Sequence, residues 1–135
     1  MNVLVDTSVW SLSLGRAKRV DDTAPKELGE LIREGRVVMM GPIRQELLSG
    51  IKVKSQFEQL RDHLRAFSDL TLESADYEEA AEAFNRCRER GIQGSNTDFL
   101  ICSSALRRGL AVYTTDKDFL QYEKLLKLKL HAARG

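Results

Sequence analysis

Four carboxylates in this 135-residue chain stand where an α/β architecture does its chemistry. Asp6 closes the apolar run Asn2 to Val5, and Asp116 closes the run Leu110 to Thr115. If those runs are parallel strands, residues just past their carboxyl ends project into the ligand crevice of the sheet. Glu46 shares one side of a short helix with Ile43 and Leu47, because at about 100° per residue it falls about 60° from Ile43. A carboxylate on a buried side is costly unless it is paired or bound to a metal. Asp98 repeats the pattern, lying on an apolar stripe with Ile101 and Cys102. Acids at strand ends also serve as loop caps, and Ser95-Asn96-Thr97-Asp98 also reads as a capped first helical turn, where Asp favours the dipole.

Taken together, ionised neighbours in one crevice raise each other's pKa and destabilise the fold unless a cation sits among them. Oxygen ligands suit Mg²⁺ or Mn²⁺, whereas zinc wants His or Cys. His63 and His131 are too isolated in the sequence to make a zinc site, and His63 reads as a surface or boundary residue of its helix. Cys87 and Cys102 lack metal spacing and read as reduced core thiols. Ser8 has no His near it in any motif, so a water nucleophile is the simpler assignment.

The elements that must position these acids alternate short β-branched runs with helical periodicity, the pattern of βα units around a parallel sheet. A strand over Asn2 to Val5 leads to a helix near Ser8 to Leu14. Thr23 before Pro25 opens a helix with Leu28, Leu31 and Ile32 on one face, ending before Gly35. A strand over Arg36 to Met40 and a helix over Ile43 to Ser49 follow. Ser55 and Glu58 form a capping-box pattern ahead of Leu60, Leu64 and Phe67. Leu70 to Leu72 reads as a brief strand, and Ser74 as the cap of a helix carrying Tyr77, Ala80, Ala81, Phe84 and Cys87. After the loop Ile92 to Thr97 come a helix from Asp98, the strand to Thr115, and a helix from Asp118 to about Leu125. The tail Leu126 to Leu130 alternates with period two, as an edge strand with lysines outward does.

Composition narrows the classes. With 42% hydrophobic and 30% charged residues the chain can offset its ordering entropy, so a single folded domain over residues 1–135 is expected. No apolar run approaches the ~18 residues that span a bilayer, and Asp6 interrupts the N-terminus before a signal-peptide core could form, so no membrane association and a cytoplasmic location are expected. The net charge of +1 lacks the bulk basic excess of strong nucleic-acid binders. An anionic partner must be held locally, for which Arg16, Lys18, Arg19 and Lys52 are candidates. Trp10 could stack on a base, although a lone Trp just past a strand end suits packing.

The segments Val3-Leu4-Val5-Asp6-Thr7-Ser8-Val9-Trp10, Pro42-Ile43-Arg44-Gln45-Glu46-Leu47, Thr97-Asp98-Phe99-Leu100-Ile101 and Val112-Tyr113-Thr114-Thr115-Asp116-Lys117-Asp118-Phe119 together resemble PIN-domain proteins. Chain length resembles the VapC ribonuclease toxins of prokaryotic toxin–antitoxin pairs. The resemblance implies a three-layer α/β/α domain around a five-stranded, mainly parallel sheet. It implies a catalytic metal site made by Asp6, Glu46, Asp98 and Asp116, with Asp118 at a further acidic position and Ser8 and Thr114 as polar supports. For Asp118, ordinary turn chemistry is an equal alternative. The implied activity is Mg²⁺-dependent endoribonuclease action, with Mn²⁺ as substitute, through a metal-activated water that leaves 5′-phosphate and 3′-hydroxyl ends. A homodimer, a VapB-like antitoxin and a toxin–antitoxin hetero-oligomer are the implied partners, besides the RNA substrate. The loop Ile92 to Asn96 is richer in Gly and Asn than the commoner family pattern. A catalytically silent PIN-like module that binds RNA or protein is the alternative. Receiver and haloacid-phosphatase readings are disfavoured, since Asp6 is followed by Thr7 and Ser8 rather than a second acid.

Overall fold

The computed structural model describes residues 1–16, 18 and 21–135. In chain order the elements are β1 (Val3–Val5), α1 (Thr7–Ser13), α2 (Thr23–Arg33), β2 (Val37–Val38), α3 (Gly41–Leu48), α4 (Lys54–Leu64), α5 (Ser74–Glu89), α6 (Asn96–Arg108), β3 (Ala111–Tyr113) and α7 (Asp118–Leu126). The three strands are parallel in the order β2-β1-β3, with Val3 opposite both Val37 and Ala111. Because both neighbours of β1 run parallel to it and helices cover the sheet, β1 is buried along its whole length. One helix group joins α1 to α2 and α3, and another joins α5 to α6 and α7; α2 reaches β2 and α6 reaches β3. This is the three-layer α/β/α arrangement expected.

The sheet is narrower than expected. Asp69 and Leu130 each make one parallel bridge, to Met39 and Val112, so five segments lie side by side but only three form ladders. Side chains explain the first loss. Arg44 donates to the carbonyls of Leu64 and Phe67 and to the Asp69 carboxylate, and Arg108 donates to the Thr71 carbonyl at 3.0 Å. Within 70–72 the Thr71 carbonyl is thus taken by a side chain, and the backbone bond to the neighbouring segment is the Leu70 N–H donating to the Met39 carbonyl at 2.9 Å. At the other edge α7 extends through Leu126, and Lys127 takes a left-handed φ of 59° as its C-cap. The alternation of the tail is real, with Leu128 buried and Lys127 and Lys129 exposed, but only Leu130 pairs.

Several local expectations move by a residue or two. Helix α4 starts at Lys54 on a Val53 cap that makes no side-chain bond, and Glu58 faces Lys54 at 3.9 Å rather than closing a box with Ser55. Ser74 is the first residue of α5, whose N-terminus is held by the Asp76 carboxylate accepting the Glu73 N–H at 2.8 Å. The buried stripe of α5 is Asp76, Ala80, Ala83 and Cys87, which leaves Tyr77 and Ala81 exposed; Ile32 of α2 is exposed too. Both cysteines are free and buried. Trp10 is 2% exposed and meets the Phe67 ring edge-on at 5.3 Å, which makes it a core residue rather than a stacking platform.

Two buried acids tie distant segments together through cations. Asp76 is fully buried and accepts from Arg107 at 2.8 Å and from Arg108 at 2.7 Å, pinning the start of α5 to the end of α6. Glu27 on α2 holds the C-terminal tail through His131 at 2.6 Å and Arg134 at 3.1 Å. The Arg108 hydrogen bond, outweighing burial, holds the Asp76 carboxyl well below the usual carboxylate range. Its stabilising effect is therefore complete above the ordinary value of 3.8 and is lost as pH falls through the lower native value. Asp76→Asn is expected to cost about 3 kcal/mol at neutral pH, the scale of removing one partner of a buried pair. Urea unfolding should show that loss at pH 7, and it should narrow as pH drops below about 3.8, the ordinary aspartate value.

Candidate active site

The crevice acids come from four places that the topology brings to the carboxyl edge of the sheet. Asp6 follows β1 and is 6% exposed; its N–H donates to the Tyr113 carbonyl at 2.9 Å, continuing the ladder with β3. Its main-chain carbonyl accepts the first bonds of α1, so the same residue ends a strand and begins a helix. Two hydroxyls then aim its side chain. Ser8 and Thr114 each donate to Asp6 Oδ2 at 2.8 Å. Thr114 Oγ1 in turn accepts the Asp116 N–H at 3.0 Å, and Ser8 Oγ accepts the Thr115 N–H at 3.0 Å. The loop after β3 is thereby stitched to the end of β1, and the polar supports expected at Ser8 and Thr114 are in place.

Asp98 sits in the first turn of α6, where its N–H donates to the capping Ser95 hydroxyl at 3.0 Å. The cap expected from Ser95-Asn96-Thr97-Asp98 thus forms through the Asp98 main chain. The Asp98 side chain meets α7 instead: the Tyr122 hydroxyl donates to its Oδ2 at 3.1 Å. Burial pushes the Asp98 carboxyl up from its ordinary value and the charge of Asp6 adds to this, while the bonds from Tyr122 and Ser95 pull the other way. Burial and the Asp98 charge raise the Tyr122 phenol far enough that it remains a donor.

Glu46 corrects the helical-wheel expectation. Ile43 and Leu47 are the buried residues of α3, whereas Glu46 is exposed at its rim. Standing about 60° from one and about 100° from the other, it falls at the edge of the stripe rather than within it. Its carboxyl is nonetheless raised, first by desolvation and then by the charges of Asp6 and Asp98. Because the residue as a whole stands in water, both effects are partly screened. Asp116 is half-buried, and Asp118 is exposed, with its N–H donating to Asp116 Oδ1 at 2.9 Å in the turn that opens α7. The charges of Asp98, Asp118 and Asp116 all act on Tyr122, so Asp98 is the member shared between two groups: one with Asp6 and Glu46, one around Tyr122.

What separates these acids from Asp76 and Glu27 is the lack of a cation. Among the described residues no Lys, Arg or His forms an ion pair with Asp6, Glu46, Asp98, Asp116 or Asp118. Neither do three His, Cys, Asp or Glu side chains among those residues converge tightly enough to hold a metal ion as they stand. The donor chemistry does fit one, since these are hard oxygen ligands whose mutual repulsion a divalent cation would relieve. A cleft of about 470 Å³ is lined by Ser8, Ser11, Lys18, Asp21, Tyr113 and Thr115 among others; it touches the site through Ser8, which holds Asp6, and none of the five acids lines it. Of the candidate phosphate-binding cations, Lys18 is on that cleft and Lys52 is exposed on another. Arg16 donates to the Leu47 and Ser49 carbonyls, and Arg19 lies outside the described residues. Tyr122 and Gly94, which faces it, were not evident as site residues from the sequence; the usable signal was a Tyr on the apolar face of α7, spaced with Phe119.

A carboxyl whose folded pKa is raised costs stability where it is ionised, and the cost disappears as pH falls through the folded value. Asp98→Asn should therefore raise the melting temperature at pH 7 by about 2–4 °C. By calorimetry that gain should vanish below about pH 4, where an ordinary aspartate is also protonated. An unchanged or lowered melting temperature at pH 7 would show that Asp98 serves the fold.

Solved structures share this architecture. A chain of VapBC2 from Rickettsia felis, bound to a DNA fragment from their promoter, matches with TM-score 0.77 and 18% identity over 97% of this chain and 98% of that one. VapBC-1 from nontypeable Haemophilus influenzae matches with TM-score 0.76 and 16% identity over 97% of each chain. FitAcB from Neisseria gonorrhoeae matches with TM-score 0.75 and 19% identity over 96% of each. At these identities the likeness is one of fold. No curated protein sequence matches the chain. The family model of the PIN domain matches residues 3–125, and the chain belongs to the PIN domain family.

Proposed function

We propose that this PIN domain, spanning the whole chain, is a divalent-metal-dependent endoribonuclease and the toxin of a VapBC-type toxin–antitoxin pair. The observation that carries the reading is the set of like-charged crevice carboxylates that have no ion-pair partner among the described residues, in a fold that binds its other buried acids, Asp76 and Glu27, to Arg107, Arg108, His131 and Arg134. Asp6, Asp98, Glu46 and Asp116 would hold Mg²⁺, with Mn²⁺ as substitute, and Asp118 would assist from the mouth of the site. When bound, the cation supplies an activated water and neutralises charge developing on the phosphodiester. The chain's own part is to hold Asp6 rigid through Ser8 and Thr114, to hold Asp98 against Tyr122, and to admit an RNA phosphate along the cleft beside Lys18. Phosphate contacts of this kind set position and leave sequence choice to the groove. Hydrolysis by water would leave 5′-phosphate and 3′-hydroxyl ends.

A VapB-like antitoxin, a homodimer and a hetero-oligomer of the two are the partners that fit this reading. Its support is that two of the similar structures are VapBC assemblies, one of them on promoter DNA. Among the described residues no helix is long and apolar enough to cross a membrane.

The purified chain, incubated with total RNA and Mg²⁺ or Mn²⁺, should produce discrete cuts that EDTA abolishes. Asp6→Asn and Asp98→Asn should each lower the cleavage rate by about 10²–10³-fold, the scale of losing one group that stabilises reaction charge. Asp118→Asn should cost less than about tenfold, the lower end of outer-shell effects. Cuts that persist in EDTA or in Asp98→Asn would overturn the site assignment, and RNA binding without cleavage would favour the silent-module reading.

A further inference from the structure

Tyr122 carries a hydroxyl into the interior of the domain. The residue is fully buried, with its ring 5.0 Å from both Phe99 and Phe119. Those contacts need only a ring. Its single hydroxyl proton lies between Asp98 Oδ2 at 3.1 Å and the Gln93 carbonyl at 3.2 Å. The bond to an ionised acceptor is the stronger of the two.

The loop before α6 is shaped to let that hydroxyl through. A Cβ at Gly94 would stand 2.9 Å from Tyr122 Cζ and 2.9 Å from Phe99 Cε2, and closer still to the Tyr122 hydroxyl. The ring cannot retreat, because Phe99 and Phe119 flank it and no solvent lies behind it. Close approach therefore favours glycine at position 94, the one glycine within Ile92 to Asn96.

We propose that Tyr122, admitted by Gly94, is a positioning residue that fixes the Asp98 carboxylate in the orientation the crevice uses. The assignment rests on the nuclease reading for its functional consequence, although the contact itself does not. Asp6 is aimed by two hydroxyls, one from α1 and one from the loop after β3; Asp98 is aimed by one hydroxyl from α7, the element that follows Asp116 and begins at Asp118. Helix α7 thus links Asp116 and Asp118 to Asp98.

The test compares wild type with Tyr122→Phe, Gly94→Ala and Asp98→Asn, alone and with Tyr122→Phe combined with Asp98→Asn. Carbon-detected NMR of the Asp98 carboxyl, without metal, should show the resonance displaced in Tyr122→Phe and Gly94→Ala. Manganese titration followed by electron paramagnetic resonance should show affinity lowered about tenfold in Tyr122→Phe, the scale of losing an outer-shell partner. Cleavage by that variant should recover at saturating Mn²⁺. In the Asp98→Asn background Tyr122→Phe should have no further effect on either affinity or rate, since it acts through Asp98. An Asp98 resonance unmoved in a folded Tyr122→Phe protein would overturn the positioning role whatever the metal does. Wild type that binds no Mn²⁺ would instead overturn the nuclease reading, and with it the functional consequence, while leaving the NMR result to judge the contact.

Discussion

Carboxylates of one sign, held near one another with no ion-pairing cation among the described residues, repel, and the crevice end of this fold is organised around containing that repulsion. Asp98 and Glu46 both show it, each pushed upward by burial and by neighbouring charge. Random drift of charge on a surface would not produce the accompanying order. Asp6 is fixed by Ser8 and Thr114, Asp116 by its own N–H on Thr114, and Asp98 by Tyr122. A fold that gained nothing from these acids would pair them or replace them, as repulsion and desolvation both act against it.

Elsewhere the same chain shows how it treats acids that serve structure. Asp76 sits between two guanidinium groups, and Glu27 is bridged to His131 and Arg134. Those pairs close the two places where the fold most needs a clasp: the α5–α6 hairpin and the return of the C-terminal tail onto α2. Arg44 does related work through carbonyls, gathering the segment after α4 onto α3. The strands then need to be only two or three residues long, because side chains rather than a long ladder hold the flanks.

Much of this was legible in the sequence, and the failures have identifiable causes. Every helix and all three paired strands stand within a few residues of where hydrophobic period and Gly/Pro punctuation place them, because those signals report burial directly. The segments at 70–72 and 126–130 alternate as strands do but form no ladder, because Arg108 takes the Thr71 carbonyl and α7 runs on to Leu126. The buried stripe of α5 keeps Ala80 and Cys87 but runs through Asp76 and Ala83 rather than Tyr77 and Ala81, because Asp76 is a fully buried charged residue that apolar periodicity cannot score. Asp6 and Asp98 were legible as a strand end and a helix first turn. Glu46 was recognisable by type but not by depth, being at a rim that a helical wheel does not resolve. Tyr122 and Gly94 were hidden because their contact joins residues from separate elements and depends on a close approach.

The central claim is that the unpaired crevice acids exist to hold a divalent cation. Crystals of the protein soaked in Mn²⁺ and measured at a wavelength where manganese scatters anomalously test it directly. The account predicts an anomalous peak between Asp6 and Asp98, within reach of Glu46 and Asp116, and its disappearance in Asp98→Asn crystals. A map with no peak in the crevice at saturating Mn²⁺, or one whose peak survives the loss of Asp98, would contradict it.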